Sequence, residues 1–456
     1  MITKINKTIN HYLFKQLIKA LHKSGIAILL VGLMSVQFVQ AQDRTITIDE
    51  AIKLGLANSK TLKLSQSKID IAVSQYNQTK DKALPTGSAS FAFNRAQIPA
   101  NTLDLGGTAL HLPESANAYL GTASIQETIF GGHRYRYAQL STDLLTQVAR
   151  LDAEKDKDQI AYDVITAYYN LYKVLQSEKI VAQNLTAIDQ QLRQAQRFFE
   201  QGLVTKNDVL RFQLQHANIE LNGIDLESNR RIINYNLNIL LGLPESTELH
   251  TAEMADANRD IKPLANYIDT AFSSRQELRQ LDLQNKVAET NIKSIKAEQL
   301  PNVGVGASFY YIDVSANPIP QTGQFITPIT LGATVSWNFS SLWTNKNKVA
   351  QAKLEQDETL IRKNITVDNL KTEVNRSYQN YVTALNKIKL LETSIAQASE
   401  NNKILESKYQ SNVATVTDRV DAQTLLYQAQ INLELAKADA GLAYYTLLKS
   451  TGKLNK

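Results

Sequence analysis

Cysteine is absent from the 456 residues, which excludes disulfides, thiol catalysis, thiolate metal sites and an N-terminal lipid anchor on a lipobox thiol. Proline is scarce at 9 residues, and its distribution is uneven. Residues 132–201 hold no proline and no glycine after Gly132; residues 345–411 hold neither. Tryptophan occurs twice. Beyond the N-terminus no run of about 18 apolar residues exists, so the body of the chain offers no transmembrane helix. Neither sign of charge dominates there. The first 41 residues carry five lysines (Lys4, Lys7, Lys15, Lys19, Lys23) and no acid, so 49 basic and 44 acidic residues become 44 and 44 without them. The formal +5 therefore belongs to that segment and is not a nucleic-acid footprint.

The same segment reads as a cleaved signal peptide over 1–41. A lysine-rich start leads into apolar Gly25 to Val39, and Val39-Gln40-Ala41 presents small residues where a signal peptidase reads, with cleavage before Gln42. The alternative, a membrane anchor, needs a longer apolar run.

What the chain does have is an internal repeat. At a displacement of 210, residues near 160–242 fall on residues near 370–452 without a gap. Tyr168 meets Tyr378, Asn170 meets Asn380, Thr205 meets Thr415, Asp208 meets Asp418 and Gly242 meets Gly452. At a displacement of 216, Lys80 to Pro85 resembles Lys296 to Pro301. Loops tolerate insertions and packed helices do not, so one rigid unit is expected twice. The expected organisation is a first repeat over 42–243, an equatorial linker over 244–262 and a second repeat over 263–456.

Within a unit the period changes. Thr45 to Asn58 reads as a short amphipathic helix with Thr47 as N-cap and Glu50 at N3; Ile261 to Phe272 repeats it. Leu62 to Lys82 reads as a helix ending before Leu84-Pro85. Residues 301–311 and 329–339 then alternate. Val303, Val305 and Phe309 share one face with Ile329, Leu331, Val335, Trp337 and Phe339 of the partner segment, while Gly, Ser, Thr and Asn occupy the other. Period two over about eleven residues, with aromatic ends, suits a tilted membrane-spanning strand facing lipid. Gly87–Asn94 and Tyr119–Phe130 repeat the pattern more weakly. A soluble sandwich is the alternative, but the flanking helices leave no second sheet to cover the apolar faces. The proline-free stretches read as helices of roughly 100 Å each.

Both long helices end at tight turns, Gly202-Leu203-Val204-Thr205 and Asn412-Val413-Ala414-Thr415. Glycine and asparagine suit a left-handed C′ position, and each threonine caps the next helix with aspartate three residues on. The returning helices carry rows at spacings of three and four: Leu426, Ala429, Leu433, Ala436, Ala440, Ala443 and Leu447 in one, Leu210, Leu214, Ala217, Leu221 and Ile224 in the other. That is the 3.5 repeat of a left-handed coiled coil.

Four strands per chain cannot close a pore, and an open sheet in lipid leaves unpaired backbone groups at several kcal/mol each. The sheet must close with copies of itself, and twelve strands from three chains leave a lumen where eight from two do not. The fold class is thus mainly α with membrane β: a long α-helical coiled-coil barrel plus a β-barrel completed by trimerisation.

With these features in hand, the chain resembles the TolC-like outer-membrane efflux protein family. The resemblance rests on Thr47 to Asn58, on Leu300-Pro301 before a strand, on Ile129-Phe130-Gly131-Gly132 and on Gly202 to Leu210, in that family's order and across the body of the chain. It implies a homotrimeric duct in the outer membrane reaching through the periplasm, coupled to a periplasmic adaptor and an inner-membrane transporter of RND or ABC type. The second copy departs at Asn412 and at Phe339-Ser340-Ser341. Efflux of small molecules or drugs leads; protein secretion or metal export through the same duct, and a pore-less periplasmic adaptor, are the rivals. Exposed Leu203, Val204, Val413 and Ala414, between Gly202 or Asn412 and Thr205 or Thr415, are the expected adaptor-docking tips. Asp418 and Asp421, one turn apart, are candidate aperture acids, with helix capping as the competing role of Asp418. Four histidines outside the first 41 residues (His111, His133, His216, His250) show no metal or triad spacing. No catalytic, cofactor or metal site is expected.

Overall fold

The computed structural model describes residues 43–454 apart from 98, 100, 101, 112, 113, 254–259, 318–323 and 412. The expected signal peptide and Asn412 lie outside the described residues. In chain order the first elements are β1 (Asp43–Ile46), α1 (Ile48–Asn58), α2 (Lys60–Asp81), β2 (Thr86–Gln97), β3 (Thr102–Leu105), β4 (Thr108–His111), β5 (Ser115–Phe130), α3 (Arg134–Glu200) and α4 (Lys206–Leu241). They continue with β6 (Glu248–Thr251), α5 (Leu264–Ser274), α6 (Gln276–Ala297), β7 (Asn302–Asn317), β8 (Gln324–Ile326), β9 (Ile329–Ser336), α7 (Ser341–Gln410) and α8 (Val416–Ser450).

The later elements repeat the earlier ones closely. Helices α1 and α5 have 11 residues and start at 48 and 264; α2 and α6 have 22 and start at 60 and 276, so both pairs stand 216 apart. The helix ends repeat at the level of single bonds. Leu203 N donates to Phe198 O and Val413 N to Lys408 O at 2.8 Å; Leu243 N donates to Asn238 O and Lys453 N to Leu448 O at 2.9 Å. These 6→1 bonds satisfy carbonyls a helix end would otherwise orphan. Three of the four turns place glycine at positive φ, namely Gly202, Gly242 and Gly452 at 74°, 68° and 70°.

Three boundaries differ from the sequence reading. The helix expected from Thr45 begins at Ile48, because Asp43–Ile46 pairs in parallel with β6. Strand geometry turns Ile46 and Leu249 inward, both fully buried, whereas a helix start there would expose one of them. Thr47 is still the N-cap, accepting from Glu50 N at 3.3 Å. The linker is therefore not wholly irregular: Asn234 donates to Thr247 O at 2.7 Å and accepts from Leu249 N at 2.8 Å, fixing β6 against α4. Finally, α5 starts at Leu264 and not at Ile261, since Pro263 precedes it as the capping residue.

The main sheet is antiparallel in the order β2–β5–β7–β9, with β8 pairing the far end of β7. Strands β2, β5 and β7 are longer than the sequence alternation suggested, whereas β9 stops at Ser336, short of the expected Phe339. β2 and β5 pair from Thr86↔Gln126 to Gln97↔Ser115, extending past the alternating segments Gly87–Asn94 and Tyr119–Phe130, and β3 and β4 form a separate hairpin between them. Opposed residues share a face, so the register sorts the sheet into two sides. One carries Phe91, Phe93, Ile125, Val303, Val305, Phe309, Ile329, Leu331 and Val335; the other carries Ser88, Ser90, Thr122, Ser124, Ser308, Thr330 and Thr334. The apolar side is uncovered within the chain, Leu331 being 82% exposed. Trp337 and Phe339 are exposed too but lie past the end of β9.

Helices α3 and α7, 67 and 70 residues long, run the length of the helical part. Nearest the sheet the packing order is α2–α3–α6–α7; farther away it is α4–α3–α8–α7. Short helices stack end to end to make this possible. Asn58 Nδ2 donates to Leu241 O at 2.7 Å, joining the end of α1, just before α2, to the end of α4. Arg275 does the same for α6 and α8, donating to Lys449 O and Ser450 O at 3.2 and 3.3 Å while clamping Glu277 and Glu373. Long helix α3 approaches α8 closely at Gly441, where any side chain would strike the Tyr169 ring.

The two coiled-coil rows fare differently. In α8 the row is buried as expected at Ala429, Leu433, Ala436, Ala440 and Leu447. In α4 the buried seam is Phe212, Ile219, Leu237 and Leu241, and the expected Leu210, Leu214, Leu221 and Ile224 are half or more exposed. Helix α4 carries two apolar rows, and the sequence did not say which one faces α3.

Candidate functional site

The polar side of the sheet is built from small hydroxylic residues. Ser88 and Ser124 hydroxyls meet at 3.0 Å, Ser90 and Thr122 at 2.7 Å, and Thr330 donates to Ser308 O at 3.4 Å. Cross-strand hydroxyl pairs satisfy each other while leaving lone pairs for solute or water. A concavity of about 500 Å³ opens on this side between Gln126, Thr128, Arg134, Asn302, Ser308 and Thr334. Where β5 passes into α3, Arg134 donates to Gly131 O and to Asn302, tying helix start to strand start.

At the opposite end of the helices the two turns lie together. Thr205 and Thr415 each form a full reciprocal capping box. Thr205 N donates to Asp208 Oδ2 at 2.8 Å while Asp208 N donates to Thr205 Oγ1 at 3.4 Å; the second copy shows 3.0 and 3.2 Å. Aspartate, though shorter than glutamate, therefore completes the box. Leu203 and Val413 project, 54% and 74% exposed; Val204 and Ala414 are half-buried. The hydrogen bonds from Thr415, side chain first and backbone second, hold the Asp418 carboxyl below the usual carboxylate range. Asp421 is exposed on the next turn.

Sequence reasoning missed what lies behind these turns. Tyr409 and Val416 of the second hairpin insert into a buried cluster of the first, with Ile188, Ala195, Phe212 and Ile219. The Tyr409 ring lies 6.2 Å from Phe198 and 6.1 Å from Phe212. Arg419, between Asp418 and Asp421, is buried and donates to Asn402 Oδ1 at 2.5 Å, with Glu406 at 3.6 Å. Gln423 donates to Asn184 Oδ1 at 2.7 Å across the buried seam of α3 and α8. A tyrosine or glutamine inside a helix carries no period of its own, so its depth depends on which helices become neighbours.

Of the four histidines, His250 comes together with Asp43 and Glu248, one ligand atom from each within 4.8 Å, on the exposed side of the β1–β6 pair. His216 faces Asp189 at 3.0 Å.

Residues 51–243 and 267–453 match the family model for outer membrane efflux protein. The chain belongs to the outer membrane efflux protein family. Among curated relatives, the outer membrane efflux protein BepC of Brucella suis is 21% identical over 90% of this chain and 86% of its own. The toluene efflux pump outer membrane protein TtgC of Pseudomonas putida is 21% identical over 84% and 78%. The crystal structure of VceC from Vibrio cholerae superposes with a TM-score of 0.73 at 15% identity, covering 89% of this chain and 96% of that one. The efflux protein is accordingly an outer-membrane channel component whose helices extend into the periplasm. Channels of this family, which is not one of enzymes, work as trimers with adaptors and inner-membrane transporters.

Proposed function

We propose that three copies of this chain form a passive exit duct for small molecules or drugs. The observation that carries this reading is the pair of open ends in one chain. Strands β2 and β9 each have one unpaired edge, and α4 and α7 end the helical order with exposed apolar rows, Leu210, Leu214, Leu221 and Ile224 on one and Leu354, Ile361, Ile365 and Leu390 on the other. Joining β2 to a neighbour's β9, and α2 and α4 to its α7, removes both liabilities at once. The apolar side of the sheet, including Val303, Val305, Phe309, Ile329, Leu331 and Val335, then faces lipid, and the serine–threonine side lines the lumen. In this reading 42–243 and 263–456 are the two repeats, and 244–262 with α1 and α5 forms a belt at the junction of stacked helices.

The tips are proposed as the adaptor's docking points. Leu203 and Val413 are apolar, projecting and held on capped turns, a rigid and sticky end for a helical hairpin. Gly202, Val204, Thr205, Ala414 and Thr415 shape the turns, and Asn412 belongs to the same proposal. The transporter behind the adaptor is of RND or ABC type. Asp421, tripled by symmetry, supplies cation preference at the aperture, whereas Asp418 mainly caps α8.

L203D/V413D is expected to abolish export of a fluorescent dye from cells while trimers remain intact on heat-modifiable gels. Undiminished export with trimers present would reject the docking assignment.

A further inference from the structure

We infer that the collar where the barrel meets the helices binds anionic phospholipid headgroups of the periplasmic leaflet; this rests on the outer-membrane placement above. Three observations converge there. The first is aromatic. Both tryptophans of the chain, Trp337 and Trp343, lie within one turn of this junction and are 52% and 61% exposed. Phe339 joins them, its ring centroid 6.4 Å from Trp337 and 5.9 Å from Trp343. Trp337 Nε1 donates to Gln299 O at 3.0 Å, which anchors the polar edge of the half-exposed indole at the rim. Tryptophan with one anchored polar edge and one apolar face is the residue of the membrane–water boundary.

The second is charge. The 44 and 44 residues after the leader balance overall, yet the collar does not. Lys80, Lys82, Arg136, Lys296, Lys346 and Lys348 are all exposed there, against three acids, Asp81, Glu127 and Glu298. Lys346 stands three residues after Trp343 on the same side of α7. Only Lys348 faces an acid, Glu298 at 3.1 Å.

The third is position. The apolar side of the sheet ends at Val335 and Val303, and the aromatic and cationic residues follow immediately along the chain. A soluble anion has no reason to prefer a site beneath an acyl-covered wall. A phosphodiester monoanion carried on acyl chains fits both halves, its phosphate at Lys296 and Lys346 and its chains against Trp337 and Phe339, while Lys348 is turned to the other side of the helix by Glu298. Each lysine near such a surface contributes a preference on the order of fivefold, screened by salt.

The test is made on full-length trimers, delipidated in detergent and titrated with phosphatidylglycerol or phosphatidylcholine, with retained lipid counted by native mass spectrometry. Wild type is expected to retain phosphatidylglycerol preferentially, and added salt to erode the preference. K296Q/K346Q is expected to lose roughly 25-fold of it, and W337A to lower retention of both lipids. A K403Q control, far along α7, should behave as wild type. Equal retention of the two lipids by wild type, or full preference in K296Q/K346Q, overturns the inference. Trimer mass and channel currents in phosphatidylcholine bilayers are recorded alongside. Trimers that conduct but show no lipid preference sink only the collar; protein that neither trimerises nor conducts sinks the duct itself.

Discussion

Asp208 and Asp418 illustrate how much a single carboxylate can do at a helix start. Each accepts from its threonine's backbone N–H and hydroxyl, while its own N–H donates to that hydroxyl. D208A or D418A should each loosen its helix start locally. Hydrogen exchange should then quicken at residues 203–210 or 413–420 and nowhere near the barrel; unchanged protection would mean the box is idle. These caps were legible in the sequence because the motif is local. Glu178 was not. Loss of solvation pushes its pKa up to about 7 from 4.5, against the pull of Arg230, while Glu227 is held down to about 2 by Arg230 and Arg231. The folded protein therefore keeps a proton on Glu178 that the unfolded chain releases above 4.5, so this residue's contribution falls as pH rises from about 4.5 to about 7. Glu227 works the other way, its contribution complete above 4.5 and lost as pH falls toward 2. In thermal melts E178Q should flatten the decline between 4.5 and 7 and leave the acid-side loss in place. An unaltered profile would place the titrating group elsewhere.

Helix α4 shows where pattern reading reaches its limit. A 3.5-residue repeat identifies a seam but not its partner, and α4 has two such rows. Phe212, Ile219, Leu237 and Leu241 are taken up by α3, leaving the leucine row outward. In α8 no ambiguity arises, because that helix is flanked by α3 and α7 and buries its row within the chain. The exposed α4 row is an element-scale feature, and its test belongs to the same scale. L214D/L221D should yield monomers by size-exclusion with light scattering while far-UV circular dichroism stays unchanged. Trimers of normal mass would show that the row lies outside the subunit contact. Strand β1 makes the complementary point. Four residues flanked by a capping box look like helix lead-in, and only the distant Glu248–Thr251 makes them a strand.

For the whole molecule, the governing fact is that one chain has two ends that want partners and one uncovered apolar wall. Those features are opposite in kind, backbone edges in the sheet and side-chain rows in the helices, yet they occur at the same two flanks. In the proposed trimer, three copies turn them into a closed tube with a hydroxyl-lined interior. The purified protein should therefore give discrete single-channel currents in planar bilayers. D421N should lower their cation preference, whereas D418N should chiefly loosen the tip. Currents with the same selectivity in D421N would remove that acid from the aperture.

Repeat length, helix extent, strand alternation and caps are consequences of neighbours within a few residues or of one long gap-free self-match, and the chain alone determined them. The second strand pair stood out more clearly than the first because Ile329 to Val335 alternates without interruption, whereas Gly87–Asn94 is diluted by alanine and serine. Other features needed the folded molecule. They include which row of α4 is buried, how Tyr409 and Arg419 come to sit inside the tip, how β1 finds β6, and how Trp337 reaches Gln299 beneath the wall. Each depends on contacts between segments far apart in sequence, and those contacts are chosen by the packing of all the helices together, not by any residue's own preference.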